Sequence, residues 1–447
     1  MGARTIMDIK YAKIGSNKSN GRIWLEGNNL IKAGFIEGAP YRRVDNIDGR
    51  QISLFLTADN PAPTDRKVTV SKRGGKSRPI IDLCDRTITE IFGDANRVRV
   101  TFSSGQIVIE AHHEERNKET REAAFRKRYK TGQLREASLF TGGGISTEAI
   151  HSALDEAGLI DGACKWVAEI EPKYIESAQA NCFAVDDTTA ILTGPVEEIE
   201  PEFYSTVDVL SFSMPCAGFS KAGSVKHKQT SEEHSGSTLF ATVAAIKASN
   251  PAVIISENVV ESQSSPMYQL LRGELERLGY TIFESILGPE HTGSVEHRRR
   301  YWFVAISSGL APSSLEVPSV ELNSTPLAHF LESVDDSQFS ENQYLKDKSV
   351  RDSQAGKGFA KRQLLTGDET KVGTIGRHYA KRRSTEPFIV RDDGKERLLT
   401  PTEHARVKSI PERLIAGNGM TIAHQILGQS VDFLQPYNLT RALLGAL

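Results

Sequence analysis

Between about residue 20 and residue 112, apolar and polar positions alternate in short runs. RIWL (22–25), ISLFLTA (52–58), KVTVSK (67–72), RVRVTF (97–102) and QIVIEA (106–111) each read as a half-buried strand, with turn residues between them. Ser103-Ser104-Gly105 between the last two predicts a hairpin. From Glu114 the residues are mostly charged and suit a connecting helix. The rhythm changes at Ala137. Strand-like runs at 137–140, 165–170, 208–213 and 252–257 are followed by amphipathic stretches that end near 157, begin at Pro172, and cover 237–248 and 267–278. This alternation predicts βα crossovers and an α/β fold, with a mostly parallel sheet covered by helices on both faces. Residues 311–390 are Ser-rich, polar and basic and lose that rhythm. Helical signals return at 401–406, and the chain closes on a turn centred on Gly428 and a final helix.

The pattern divides the chain into a small β-rich domain (1–112), a charged helical linker (113–136), an α/β domain (137–310 with 391–447) and an insertion (311–390). A length of 447 residues accommodates that plan. No apolar run approaches the roughly 18–20 residues that span a bilayer, and the start lacks a signal-peptide core, so a cytoplasmic protein is expected. The four cysteines (Cys84, Cys164, Cys182, Cys216) show no C-x-x-C or Cys/His ligand spacing. Neither a disulfide framework nor a metal site is therefore expected. The net charge of −2 does not announce a nucleic-acid binder, but its distribution is uneven. Arg126-Lys127-Arg128-Tyr129-Lys130 and GRHYAKRR (376–383) are basic clusters with interleaved Tyr, a composition that suits a phosphate backbone. A solvated helix face or loop accounts for either cluster alone.

Four segments carry candidate chemistry. SLFTGGGIST (138–147) places a glycine-rich turn between a strand and a helix, and Glu169 ends the next strand. Glycines there admit a ligand close to the backbone, and the carboxylate can accept from a ribose diol; a dinucleotide and S-adenosylmethionine fit equally, and a plain tight turn is the alternative. VDVLSFSMPCAGFSKAG (207–223) runs an apolar strand into Pro215 and Cys216, where a thiolate nucleophile would meet ligands; a buried structural cysteine is the alternative. IISENVV (254–260) ends a third strand on Glu257 and Asn258, either an acid for a ring nitrogen or a turn cap. HRRRYWFV (297–304) sets arginines before an apolar strand, where they can hold a carbonyl oxygen or phosphates, or face solvent.

In order and spacing these stretches resemble the DNA cytosine-5 methyltransferases over about residues 137–447. The glycine turn is similar to that family's D-L-F-x-G-x-G loop, Pro215-Cys216 with Phe219-Ser220 to its Pro-Cys loop, and Glu257-Asn258-Val259 to its Glu-Asn-Val motif. Glu296-x-Arg298-x-Arg300 resembles Q-x-R-x-R. Arg397, Leu399, Thr400, Glu403 and Arg406 resemble R-x-L-T-x-x-E-x-x-R, and Gly428-Gln-Ser-Val431 resembles the closing G-N-S-V. Ser138, Gly194, Glu296 and Gln429 depart from the family's usual residues, which touches cofactor affinity and the adenine contact.

The resemblance implies a Rossmann-like, mostly parallel methyltransferase sheet that uses S-adenosyl-L-methionine. The cofactor residues would be Phe140, Gly142, Gly144, Ile145, Glu169, Ile170, Pro215, Gln429 and Ser430, and the catalytic residues Cys216, Glu257, Arg298 and Arg300. Cys216 would attack C6 of a flipped-out cytosine while Glu257 serves N3, Arg300 holds O2 and Arg298 supports the loop or backbone. The polar stretch 220–237 would close as a lid. The insertion falls where the family carries its target recognition domain, with Ser220, Arg377, Tyr379, Lys381, Arg382 and Arg383 expected on double-stranded DNA. A cognate restriction endonuclease is a further expected partner. Residues 23–41 are similar to the small swapped-hairpin barrels of the AbrB and SymE type, which implies DNA binding or dimerisation. Transfer-RNA methylation, a non-catalytic DNA-binding regulator and a nicotinamide dehydrogenase are the competing readings.

Overall fold

The structure, a computed structural model, describes residues 6–18, 20–57, 60–73, 76–93, 95–215, 225–356 and 362–447, and the statements below concern those residues. The chain forms two compact units, 1–120 and 121–447.

The first unit is built from two antiparallel sheets. Six strands run in the order Ile6–Lys13, Arg97–Ser103, Gln106–Ala111, Gln51–Leu56, Pro40–Asn46, Arg66–Lys67; four more run Gly15–Asn17, Asn20–Glu26, Lys76–Asp85, Thr69–Arg73. The alternating positions Ile23, Leu25, Ile52, Leu54, Val98 and Val100 all turn into one core, as period-2 patterning requires. The expected hairpin forms with a tighter loop than its three-residue reading. Ser103 pairs with Gln106, so only Ser104 and Gly105 turn, with Gly105 at φ 70°. Lys76–Asp85 escaped the pattern because Pro79 reads as a strand breaker.

The second unit is organised by one seven-stranded sheet. Its strands are β1 (Glu136–Leu139), β2 (Trp166–Glu169), β3 (Ala190–Thr193), β4 (Val209–Phe212), β5 (Val253–Asn258), β6 (Tyr280–Leu287) and β7 (Arg300–Ser307), arranged β3-β2-β1-β4-β5-β7-β6. β1 to β5 pair in parallel, and β7 runs antiparallel between β5 and β6. Every residue of β1, β2 and β4 is buried, which is why these strands are mostly apolar and show no alternation of inward and outward positions. The helices are α1 (His113–Thr131), whose residues up to Thr120 belong to the first unit, α2 (Ile145–Glu156), α3 (Pro172–Asn181), α4 (Val225–Ser249), α5 (Pro266–Arg277), α6 (Pro401–Arg406), α7 (Met420–Gln429) and α8 (Leu434–Ala446). Strand order reverses between β1 and β4, and ligands of open α/β sheets bind beyond the carboxyl ends at such a point.

Three sequence expectations are corrected here. Gly428 lies inside α7 rather than at a turn, because the residues around it keep helical spacing and bury Ile426 and Leu427. The stretch expected as a lid loop is helical from Val225 onward, since α4 begins there; residues 220–224 lie outside the described residues. The 126–130 cluster is partly spent on packing. Arg128 forks onto Asp208 at 2.6 and 2.8 Å, and Arg126 donates to the Gly309 carbonyl. Nearby, Arg121 is buried against the Leu278 carbonyl and the Tyr280 ring.

The region 311–390 holds one α-helix, Gln343–Gln354, and short strands. Gln363–Leu365 and Pro387–Val390 join Glu396–Arg397, and Val372–Gly373 pairs with Glu296–His297. Its apolar residues Leu327, Leu365, Val372 and Ile375 share a core with Val295, Leu399 and Val407 from the flanking chain.

Asp208 is 1% exposed, and besides Arg128 it accepts from the Arg135 amide at 2.9 Å. Asp208→Ala should therefore cost about 3–5 kcal/mol, because Arg128 loses a desolvated partner. Urea unfolding checks this, and a loss under about 1 kcal/mol contradicts it.

Candidate active site

Strand topology brings the acidic motif and the arginine motif together. β5 ends on Glu257-Asn258, and β7, running the other way, begins on Arg300 with Tyr301 opposite Asn258. Arg300 Nε consequently lies 3.0 Å from Glu257 Oε1. On the other side β4 runs parallel to β5 with Phe212 opposite Ser256, so the next residue, Ser213, faces Glu257 and donates to Oε2 at 2.9 Å. The carboxylate is thereby oriented through both oxygens, with its side chain 12% exposed. Asn258 is fully engaged in positioning. Its Nδ2 donates to the Met214 carbonyl at 2.9 Å and to Tyr268 Oη at 3.1 Å, while its Oδ1 accepts from the Val259 amide. The chain leading into Pro215-Cys216 is thus tied to the Glu-Asn-Val loop two residues before the cysteine. Cys216 and Ser220 lie outside the described residues, and Pro215, the last described residue before them, is exposed.

The glycine turn forms a second half-site at the carboxyl ends of β1 and β2. Phe140 (φ 55°) and Gly142 (φ 58°) are left-handed, and Gly144 (φ 83°) caps α2. A Cβ on Gly144 would stand 2.9 Å from Cys182 Cβ, so close helix packing as well as backbone conformation demands glycine there. Glu169 accepts from the Gly142 amide at 2.7 Å and from the Glu171 amide at 3.0 Å, fixing its carboxylate across the turn. Ile170 beside it is 62% exposed, an apolar platform next to an acceptor. Ile145 is buried at the start of α2 and packs in the core. Gln429, at the end of α7, returns to this turn: a Cβ placed on Gly142 would lie 3.2 Å from Gln429 Nε2. Ser430 is half-buried and donates to the Leu427 carbonyl.

Arg298 does not join Glu257. It is 3% exposed, sits on Glu296, and donates to the carbonyls of Ile375 (2.7 Å) and Gly428 (2.9 Å). Glu296, in the family's glutamine position, is fully buried, and its charge is answered by Arg298 and by Lys408 at 3.6 Å. Burial opposes ionisation of Glu296, but these two cations outweigh it and hold the carboxyl below its ordinary value. Lys408 caps the end of α7 through the carbonyls of Leu427 and Ser430 (2.8 Å to the latter). Burial, with Arg298 close by, pushes its ammonium down to about 7. The sequence offered no signal for Lys408 or Ser213, since a lone lysine and a strand serine read as surface and core filler. The R-x-L-T element proves to be a brace. Arg397 forks onto Glu403 at 2.6 and 2.8 Å, while Thr400 and Glu403 form the capping box of α6.

Of the residues expected on DNA, Arg377, Lys381 and Arg383 are exposed. Arg377 also lies over the Tyr174 ring at 5.5 Å. Arg382 is half-buried, reaching Ser340 Oγ and the Glu396 carbonyl. Tyr379 offers no surface to a partner. It is fully buried, its hydroxyl bridges the Pro387 carbonyl and the Leu399 amide, and its ring packs on His404 and His424.

Glu296→Gln alone leaves Arg298 and Lys408 short of a counter-charge and should cost about 3–5 kcal/mol, most of it recovered by Glu296→Gln with Lys408→Met. Additive losses in urea unfolding contradict the pairing. Lys408 releases its proton at about 7 when folded but near 10.5 when unfolded. The unfolded chain thus binds the extra proton between those values, and stability contributed by this group rises with pH across that window. Unfolding measured from pH 7 to 10 should show that rise, flattened in Lys408→Met.

Residues 134–444 match the family model described as C-5 cytosine-specific DNA methylase. Among curated relatives, Type II methyltransferase M1.ScrFI of Lactococcus lactis subsp. cremoris is 26% identical over 248 residues, covering 53% of this chain and 62% of that protein. Type II methyltransferase M.SsoII of Shigella sonnei is 24% identical, covering 53% of this chain and 64% of its own length. The match thus spans less than two thirds of either relative. M.MspI of Moraxella sp is 24% identical over 348 residues, covering 76% and 75%. Among solved structures, the S. pombe Dnmt2 methyltransferase superposes with a TM-score of 0.54 at 17% identity, covering 70% of this chain and 99% of that one, a likeness of fold. With some seven tenths of its length inside the family model, the chain belongs to the C-5 cytosine-specific DNA methylase family.

Proposed function

We propose that this protein methylates C5 of cytosine within a specific double-stranded DNA sequence, using S-adenosylmethionine. The observation that carries the reading is the Glu257 carboxylate clamped between Ser213 and Arg300 at the carboxyl edge of the sheet, on the same loops that lead to Cys216. A cytosine ring presents N3 and O2 side by side. A carboxylate and a guanidinium 3.0 Å apart match those two atoms.

Cytosine C5 is a weak nucleophile, so it must first become electron-rich. The Cys216 thiolate adds to C6, the acid form of Glu257 gives its proton to N3 as charge moves into the ring, and Arg300 holds O2; N3 returns that proton when the cysteine leaves. C5 is then alkylated, loses its proton to a base, and expels the cysteine, which restores aromaticity. Bound S-adenosylmethionine supplies the methyl group from its sulfonium centre. The residues present fit that molecule. Glu169 offers a fixed carboxylate to a ribose diol, Ile170 an apolar face to adenine, and the Gly142 turn with Gln429 a close backbone approach. In a duplex the target base must leave the stack, which costs a few kcal/mol. Arg298 acts on position by holding the insertion and α7 together.

Residues 311–390 serve as the target recognition domain, and their supports are the exposed Arg377, Lys381 and Arg383. A cleft of about 690 Å3 lined by His297, Arg362, Asp368, Glu369 and Lys371 adds donors and acceptors on a concave surface. The first unit binds DNA or a second copy of the chain. A restriction endonuclease of the same specificity is the natural partner of such a methylase.

Cys216→Ser should abolish transfer of labelled methyl groups to DNA while cofactor affinity stays within about threefold, and Glu257→Gln should cost roughly 10²–10⁴ in rate. Turnover by Cys216→Ser removes the assignment, and labelling of transfer RNA in preference to DNA moves the substrate. Exchanging 311–390 for the segment of a relative should change the methylated sequence read by bisulfite sequencing; an unchanged site overturns the recognition role.

A further inference from the structure

A cluster of metal-ligating side chains lies outside the candidate active site, towards the opposite, amino edge of the sheet. Glu136 opens β1, His151 lies two turns into α2, and Cys164 stands just ahead of β2. Each offers a donor atom, and the three donors all lie within 4.8 Å of one another. Glu136 Oε2 is 3.1 Å from His151 Nδ1, whereas Oε1 is buried with no hydrogen-bond partner among the described residues. Glu136 is 2% exposed and Cys164 1%. An unpaired carboxylate oxygen at such depth is costly and calls for an ion or a water.

The electrostatics agree with the geometry. Burial pushes the Cys164 thiol well above its ordinary value and raises the Glu136 carboxyl, because neither charge has enough counter-charge. Burial alone would lower His151, but the Glu136 carboxylate overrides it and raises the imidazole. A divalent cation resolves all three. Thiolate and carboxylate together cancel its two charges, the imidazole binds neutral, and no net charge is left in the interior.

We propose that Glu136, His151 and Cys164 form a zinc-class divalent metal site that pins α2 to the sheet below the glycine turn. A thiolate with an imidazole selects zinc over magnesium or calcium, which prefer oxygen donors. Zinc–donor distances of about 2.0–2.3 Å place donors roughly 3–4 Å apart, so the cluster closes with a contraction of about 1 Å. His151, 13% exposed, is the most accessible of the three, and a water would complete a fourth position. Binding releases the Cys164 proton, and the imidazole proton where present, to solvent. The site stands independently of the proposed reaction.

The test uses the full chain, free of affinity histidines, equilibrated with one equivalent of Zn2+ and then desalted. About one zinc per chain is expected by mass spectrometry. Co2+ in its place should give a thiolate-to-cobalt charge-transfer band that is lost in Cys164→Ser and kept in Cys216→Ser. Glu136→Gln, which preserves shape, should weaken Zn2+ binding at least about tenfold with an unchanged circular dichroism spectrum. Substoichiometric zinc in the wild-type chain overturns the proposal and leaves a water on Glu136. A cobalt band that survives Cys164→Ser, or disappears in Cys216→Ser, also overturns it.

Discussion

A parallel sheet buried on both faces imposes the constraint on which the rest of this structure depends. Its strands must all deliver their following loops to one edge, and the reversal of order between β1 and β4 parts those loops into two groups. The glycine turn and Glu169 fall on one side, and the Pro-Cys and Glu-Asn-Val loops on the other. The single antiparallel strand, β7, completes the arrangement by starting where β5 ends. Had β7 run parallel, Arg300 would stand at the opposite edge, about 25 Å away for a strand of this length at roughly 3.3 Å per residue.

Buried charge does the second part of the work. Glu296 and Arg298, two residues apart in one motif, meet Lys408 from a distant stretch in a desolvated cluster that holds the insertion and the end of α7 in register. Such clusters rarely add net stability over an apolar equivalent, but removal of one member leaves another uncompensated. Geometry is therefore more sensitive to these residues than their distance from Glu257 suggests. The Arg397–Glu403 fork plays the same part at the start of α6. In both cases a motif that looks chemical in the sequence is a scaffold for the chemistry of others. Glu257 and Arg300 instead meet each other at the sheet edge.

The strands, the crossover helices and the family were legible because each rests on local information. Parallel strands covered on both faces need continuous apolar residues, a helix needs its apolar stripe, and a tight turn beside a ligand needs glycine. Glu257-Asn258 and Arg300 could be placed at strand ends for the same reason. Lys76–Asp85 was lost to its proline, and Gly428 read as a turn although flanking helical contacts hold it in α7.

What only the tertiary structure decided is which side chains meet. Tyr379 and Arg377 are two residues apart in one basic stretch, yet the first is core and the second exposed. Arg298 and Arg300 share one motif, yet one braces two carbonyls and the other faces Glu257. Lys408 finds Glu296 across more than a hundred residues, and Glu136, His151 and Cys164 converge with no ligand spacing to announce them. Local propensity and hydrophobic period determine elements and the faces that they bury. Pairing between distant polar atoms depends on strand order, direction and depth of burial, which no window of sequence contains.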